Sequence, residues 1–460
     1  MLTQLALLVS LLTIILREAI CLKVGVAKVD ATLPVGVPLA GYGERRVPDW
    51  PLAKETKYTT WMLPSTGHLT PTWVKALVID TGDEQICFVT VDAIGSDGTL
   101  AELAYDIATS KGFRIPFDNV AMFGSHSHSG PGAITPEFLW AVVPATDLLV
   151  PELQEMFATS IANAMLQAQE NLQDGTMGID IAQLKGVTRN RRAGVSPYLH
   201  EDDIDPNLGV ISVNDGDGKP LATVWNYAIH GTCWGSSQLL SNGDIMGGVN
   251  DVLETMNSGV AMFINADAGD ISPGGDTCSG EPNFQGAPVI AKAVMDARNN
   301  TKMSDNVEIR VATQVVPFGE TNLNLTFARV ENCTSGGPVD ICSICKVLNC
   351  DVNLHLNEAW VEQNPKFGAF AFNIDGTNTG MVTIPGEALS DLGTEIRNDL
   401  LNMKFDNVLL GGYSNNHMGY FATEREYDVG GYESLLTFWG VDTAERIRTN
   451  CTLVAKKVAP

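Results

Sequence analysis

The sequence predicts an α/β protein in which mixed β-sheets are covered by α-helices within a single large domain. Three observations carry that expectation. Short β-rich runs alternate with amphipathic helical stretches along nearly the whole chain. Several runs are almost continuously apolar, as strands buried on both faces are. No Pro/Ser-rich linker or internal repeat interrupts the alternation. At 460 residues, 45% apolar and 18% charged, the chain is long enough to bury a large core.

Residues 1–21 hold an apolar stretch, Leu5 to Leu16, too short to span a bilayer, and end in Ala19-Ile20-Cys21 with small residues where a signal peptidase reads. This predicts a secretory signal cut after Cys21, a mature chain of 22–460 and an extracellular protein. Strands follow at Val24 to Val29, Lys75 to Asp80, Ile86 to Asp92 and Asn119 to Ser125. Between them, Leu100, Leu103, Ala104, Ile107 and Ala108 keep helical spacing, and Pro151 opens a longer helix with Leu153, Met156, Phe157, Ile161 and Ala164 on its inner face. A second set of strands is expected at Met177 to Leu184, Ala222 to Ile229, Val260 to Asn265, Val307 to Val316, Ala369 to Asn373, Met381 to Ile384 and Asn407 to Leu410. Helices are expected at Gly247 to Met256, Ala287 to Arg298 and Ala388 to Leu401. A split near residue 305 is an open alternative that composition does not mark.

Removing Cys21 leaves eight of the nine cysteines, an even number that an oxidising compartment favours. Cys333, Cys342, Cys345 and Cys350 crowd together near Gly336, Gly337 and Pro338, which predicts a disulfide-stapled surface insertion at about 333–350 rather than a zinc knuckle. The pairing stays open. Sequons at Asn299, Asn324, Asn332 and Asn450 fit the same compartment and predict a glycoprotein. A net charge of −25 repels nucleic acid and anionic membrane surfaces, and no later segment is apolar enough to serve as a transmembrane anchor.

The chemistry concentrates at Ser125-His126-Ser127-His128-Ser129-Gly130-Pro131-Gly132, where two of the seven histidines follow an apolar run. On an extended segment, side chains at i and i+2 share a face, so the spacing aims both rings into one pocket. Neutral imidazole is a common metal ligand, but two surface histidines have the same spacing, and the pair alone does not decide. Three later strand ends look alike: Ala228-Ile229-His230-Gly231-Thr232, Ile384-Pro385-Gly386-Glu387, and Phe263 leading into Gly269-Asp270-Ile271-Ser272-Pro273. Strand ends of one sheet can converge on one cleft. Taken singly, Glu387 reads equally as a helix-capping acid and His230 as a satisfied core histidine.

The ordered series of these motifs, with Asn190-Arg191, Gly243-Asp244, Gly419-Tyr420-Phe421-Ala422-Thr423, Glu426-Tyr427 and Gly431-Tyr432-Glu433, resembles the neutral ceramidases. The opening from Val24 to Asp30, leading to Gly41-Tyr42-Gly43, is similar to that family's start. The resemblance implies a secreted or membrane-associated zinc amidase that cleaves the N-acyl bond of ceramide. It implies His126, His230, Glu387 and Tyr420 as ligands of one Zn2+, Ser272 as nucleophile, and His128, Arg191 and Tyr432 on the substrate side. Two imidazoles, a carboxylate and a phenol oxygen suit Zn2+, and whether serine or water attacks stays open. A structural Ca2+ or Mg2+ is also left open.

The chain departs from the family in three places. Pro273 is followed by Gly274-Gly275 where Pro-Asn is usual, which predicts a looser turn at Ser272. Serine stands where threonine is common in the histidine motif. The family carries a C-terminal immunoglobulin-like domain, whereas this sequence ends at Pro460, so none is expected here. Three functions follow in order: hydrolysis of ceramide or a related N-acyl lipid, zinc-dependent hydrolysis of another amide or ester, and noncatalytic lipid binding. No acyl slot can be located from Pro131 to Leu149, although Phe138, Leu139, Trp140, Val142, Val143 and Leu148 lie beside the motif.

Overall fold

The computed structural model describes residues 22–46, 56–142, 145–326, 351–358 and 360–460. The expected leader, the cysteine-rich insertion at 333–350 and the sequon at Asn332 lie outside the described residues.

Two mixed sheets pack face to face between two layers of helices. The first contains β1 (Lys23–Asp30), β2 (Trp73–Asp80), β3 (Gln85–Val91), β4 (Val120–Gly124), β5 (Gln173–Gln183), β6 (Asn207–Asp215), β7 (Pro220–Tyr227) and β8 (Val260–Asn265), in the order β8-β7-β6-β5-β1-β2-β3-β4. The second runs in chain order through β9 (Val307–Val315), β10 (Lys366–Ile374), β11 (Thr377–Thr383) and β12 (Asn407–Gly411). The main helices are α1 (Gly98–Ser110), α2 (Pro151–Glu170), α3 (Asp244–Thr255), α4 (Gly286–Asn300), α5 (Ser390–Asn402) and α6 (Thr443–Val458).

Side-chain alternation builds the layers. Val74, Ala76 and Val78 of β2 face α1 and α2, while Leu77 and Ile79 face the second sheet. Phe88 and Phe123 meet Phe370 and Phe372 between the sheets, with the Phe88 and Phe370 rings edge to face at 5.0 Å. Helices α3 and α4 cover β6 to β8, and α5 and α6 cover the outer face of the second sheet. Strands buried on both faces explain the continuous apolar runs.

Most neighbours are antiparallel, but β3–β4, β7–β8 and β11–β12 are parallel. A parallel pair needs a crossover, and α1, α3 and α5 provide the three. Their strand ends set up the site.

Several details differ from the sequence expectation. Strand β6 was not anticipated because Gly209 and Ser212 interrupt its apolar run; a Cβ on Gly209 would lie 2.2 Å from Leu409 Cδ2 of the second sheet. Helix α6 was missed because polar residues surround its narrow stripe of Ile447, Cys451, Val454 and Val458. Met156, expected on the inner face of α2, is 40% exposed. Cys87 and Cys451 are buried free thiols, so the even cysteine count does not translate into complete pairing. Cys233 and Cys278 form a disulfide that ties the segment after His230 to the segment after Ser272. Among the described residues no helix is long and apolar enough to cross a membrane.

Candidate functional site

The carboxyl ends of the parallel strands converge where the two sheets meet. Strand β4 leads to His126, β7 to His230, β8 to Asp270 and Ser272, β11 to Glu387, and β12 to Tyr413 and His417. Asn265, at the end of β8, ties two of these loops together by donating to the carbonyls of Ser125 (3.3 Å) and Ile229 (2.9 Å). Gly412 N–H donates to Asn265 O at 2.9 Å and joins the sheets.

The histidine pair converges for a reason other than the expected one. Strand β4 stops at Gly124, and His126 has φ 65°, so the pair does not lie on an extended segment. A left-handed turn swings the His126 ring inward while its N–H donates to Ala93 O at 2.9 Å. The loop of His230 touches this turn through Gly231, where a Cβ would lie 2.3 Å from His126 O. The glycine of the His-Gly motif is thus a packing requirement. A left-handed non-glycine residue stores strain, and Tyr413 at φ 53° is a second, its ring centroid 4.3 Å from that of His126.

His126 Nδ1 lies 2.7 Å from Ile94 O, and His230 Nδ1 lies 2.7 Å from Ala268 O. Each therefore donates its Nδ1 proton to a carbonyl and turns the Nε2 lone pair into the site. The two Nε2 atoms are 3.0 Å apart, and Glu387 Oε2 lies 3.4 Å from the first and 3.6 Å from the second. Donors held about 2.1 Å from one tetrahedral ion are spaced by about 3.4 Å, so these three atoms fit Zn2+. Two lone pairs this close repel unless a cation lies between them.

His128 Nε2 is 3.2 Å from His126 Nε2, as close as the expected ligands. Unlike His126 and His230 it keeps some exposure, so it lies on the open side of the cluster. Tyr42, not anticipated as part of the site, packs its ring 4.9 Å from that of His128, and buried Arg45 donates to His128 O at 2.7 Å.

Arg191 forms the opposite wall. It donates to Tyr420 Oη at 3.1 Å, Gly269 O at 2.7 Å and Glu433 Oε1 at 2.8 Å, and Arg192 donates to Glu433 Oε2 at 2.8 Å. The rings of Tyr420 and Tyr432 meet at 5.6 Å. Ser272 lies half-buried opposite Arg189 in a short ladder, and its hydroxyl bonds to none of the described residues. Its neighbour Ile271 accepts from His230 N at 2.9 Å. Gly274 does not loosen this turn: its N–H donates to Val187 O at 2.9 Å, and a Cβ there would lie 2.8 Å from the Thr188 carbonyl carbon.

Burial pushes the His126 imidazole down to about 4 against the raising influence of Glu387, and pushes His128 and His230 well below their usual value. Burial alone would raise the Glu387 carboxyl, but His126, His417 and Arg191 outweigh it and hold the group low. Burial likewise opposes charge on Arg191, yet Tyr420, Glu433 and Glu387 keep it protonated. Burial and Glu387 raise the Tyr420 phenol well above its usual value.

A stability prediction follows for the metal-free protein. Between the ordinary histidine value of 6.5 and about 4, the unfolded chain binds a proton at His126 that the folded chain refuses. Stability therefore falls as pH drops through that window, by roughly 3 kcal/mol for this residue. Urea midpoints measured from pH 7 to 4 should fall less steeply in His126→Asn than in the wild type. Equal slopes would assign the loss to other groups.

Beside Glu387, a small cavity is walled by Leu139, Trp140, Val361, Leu436 and Phe438, with His417, Gly419, Tyr420 and Tyr432 completing its lining. Its volume is about 30 Å³, room for about one water molecule or one methylene group. Leu139 and Trp140 belong to the short helix Phe138–Val142, so this region is a helix that walls a small cavity. A cleft of about 1000 Å³, lined by Asp203, Asp391, Glu395, Arg425 and Arg448 among others, includes none of the expected site residues. Size does not mark the site here.

His417 and Tyr413 also escaped the sequence reading. They follow an expected strand, and the rule that found Glu387 would have reached them had it been applied to Asn407 to Leu410.

Residues 53–304 match the sequence profile of the family described as neutral/alkaline non-lysosomal ceramidase, N-terminal. Neutral ceramidase B of Dictyostelium discoideum is 22% identical over 431 residues, covering 71% of this chain and 58% of the relative. Neutral ceramidase of Drosophila melanogaster is 26% identical over 280 residues, covering 56% and 37%. The chain thus spans less than two thirds of these relatives' length. The crystal structure of neutral ceramidase from Pseudomonas aeruginosa superposes with a TM-score of 0.77 at 18% identity, over 96% of this chain and 75% of that one.

Proposed function

Because the chain belongs to the neutral/alkaline non-lysosomal ceramidase family, we propose that it is a secreted zinc-dependent amidohydrolase that cleaves the N-acyl bond of ceramide or a related N-acyl lipid. The observation that carries this reading is the convergence of two Nε2 lone pairs and one carboxylate oxygen within 3.0–3.6 Å. His126, His230 and Glu387 would hold the ion, with Tyr420 as the fourth ligand.

When bound, zinc supplies a Lewis acid that polarises the amide carbonyl. The remaining steps belong to the chain. Ser272 Oγ attacks the carbonyl carbon from the ladder beside His230; as the C–N bond breaks, the serine proton passes to the departing amine, and water then cleaves the serine ester, releasing the fatty acid and restoring the hydroxyl. His128, on the open side, and Tyr432 donate hydrogen bonds to the developing oxyanion. Arg191, held by Glu433, orients the polar head, and the apolar side chains beside Glu387, among them Leu139, Val361 and Phe438, would meet the start of the acyl chain.

The test is zinc content together with release of fatty acid from a medium-chain ceramide, with and without a chelator. One zinc per chain and release abolished by chelation are the expected results. Undiminished release from fully stripped protein would overturn the zinc assignment. Zinc without ceramide turnover would move the substrate to another amide or ester, and absence of both would leave a lipid-binding relative.

A further inference from the structure

Glu387 has two oxygens, and only one faces the two histidines. The other, Oε1, lies 3.2 Å from His417 Nε2. The His417 ring is buried, and Gly419 N–H points at its Nδ1 from 3.4 Å. In a neutral imidazole the nitrogen that accepts a hydrogen bond is the unprotonated one, so the His417 proton sits on Nε2 and is aimed at the carboxylate. This is the opposite tautomer to His126 and His230, whose Nδ1 atoms face carbonyls.

We propose that His417 is a positioning residue for the metal-binding carboxylate. Its Nε2–H holds Oε1, so that Glu387 presents Oε2 alone to the ion between His126 and His230. The inference rests on the proposed zinc site. Donor atoms of His126, Glu387 and His417 all lie within 4.8 Å of one another, which would also let His417 bind the ion itself. The tautomer decides against that, because its Nε2 carries a proton where a ligand needs a lone pair.

The ring has little freedom to turn. Trp140 Nε1–H donates to His417 O at 2.9 Å, the two rings meet at 4.7 Å, and a Cβ on Gly95 would lie 2.9 Å from His417 Cδ2. Tyr413 Oη, 3.4 Å from Oε2, bounds the carboxylate on its other side. His417 and Glu387 both line the small cavity, so their hydrogen bond lies at its wall.

The experiment compares zinc affinity, by competition with a chromophoric chelator, in the wild type, His417→Phe and His417→Gln, alongside ring-nitrogen NMR of the wild type with and without zinc. Phenylalanine keeps the ring volume and loses the donor; it should weaken zinc about 10–100-fold. Glutamine restores an N–H and should remain within about threefold of wild type. On adding zinc, the Nε2 signals of His126 and His230 should move, while His417 Nε2 stays protonated. Unchanged zinc affinity in a folded His417→Phe variant would overturn the proposal, as would a metal-induced shift at His417 Nε2. The NMR arm needs no variant to fold. A wild-type chain that takes up no zinc would count against the proposed function, whereas an Nδ1-protonated His417 in the metal-free protein would overturn the hydrogen bond itself.

Discussion

His126→Asn is expected to lose stoichiometric zinc and at least about 1,000-fold in kcat/KM, equivalent to several kcal/mol of transition-state stabilisation, with the fold intact. Asparagine is the informative replacement because position 126 sits at φ 65°, a conformation that asparagine tolerates and alanine resists. The substitution removes the imidazole without adding backbone strain, and the amide remains free to donate toward Ile94 O in place of Nδ1. His230→Ala should lose zinc as well, but it strips Ala268 O of its donor, so part of its effect would be structural. Metal content by mass spectrometry and a melting curve separate the two. A folded His126→Asn protein with one zinc per chain would sink the ligand assignment.

The layered architecture was legible because burial on both faces leaves a strong mark: strands such as Gln85–Val91 and Val120–Gly124 are apolar at nearly every position. What escaped was set by contacts between distant segments. Gly209 breaks the β6 pattern only because Leu409, two hundred residues later, packs against it. The number of sheets, and their meeting through Phe88 and Phe370, is likewise invisible to local periodicity.

That His126, His230 and Glu387 lie at strand ends was legible in the sequence; the geometry that brings them together was not. His126, His230 and Glu387 could be paired with strand ends because each follows an apolar run, yet the turn that joins the histidines depends on a left-handed residue which spacing does not reveal. His417 could be reached as a residue after a strand end, but its role could not. Its meaning lies in which ring nitrogen faces which atom, and that is determined by the backbone of Gly419 and the carboxylate of Glu387. The glycines after Ser272 illustrate the converse: composition implies looseness there, whereas close packing against Thr188 makes Gly274 a fixed point.

Ser272→Ala is the second large effect, expected to keep one zinc per chain while lowering kcat/KM about 1,000-fold or more, as loss of a nucleophile does. The turn around Ser272 is built without its hydroxyl. Asp270, buried two residues earlier, accepts from Asn190 Nδ2 at 2.7 Å, Ser390 N at 2.8 Å and Ser390 Oγ at 3.0 Å, and its carbonyl accepts from Arg191 N at 2.9 Å. The disulfide from Cys278 to Cys233 closes the segment onto the loop of His230. Because the Ser272 side chain is half-buried and bonds to none of the described residues, its removal should change stability by less than about 0.5 kcal/mol. Equal stability, equal zinc and a collapsed rate together would assign the loss to chemistry at Oγ. A variant that retains a large share of the wild-type rate would instead make water the attacking group and leave Ser272 as part of the wall beside His230.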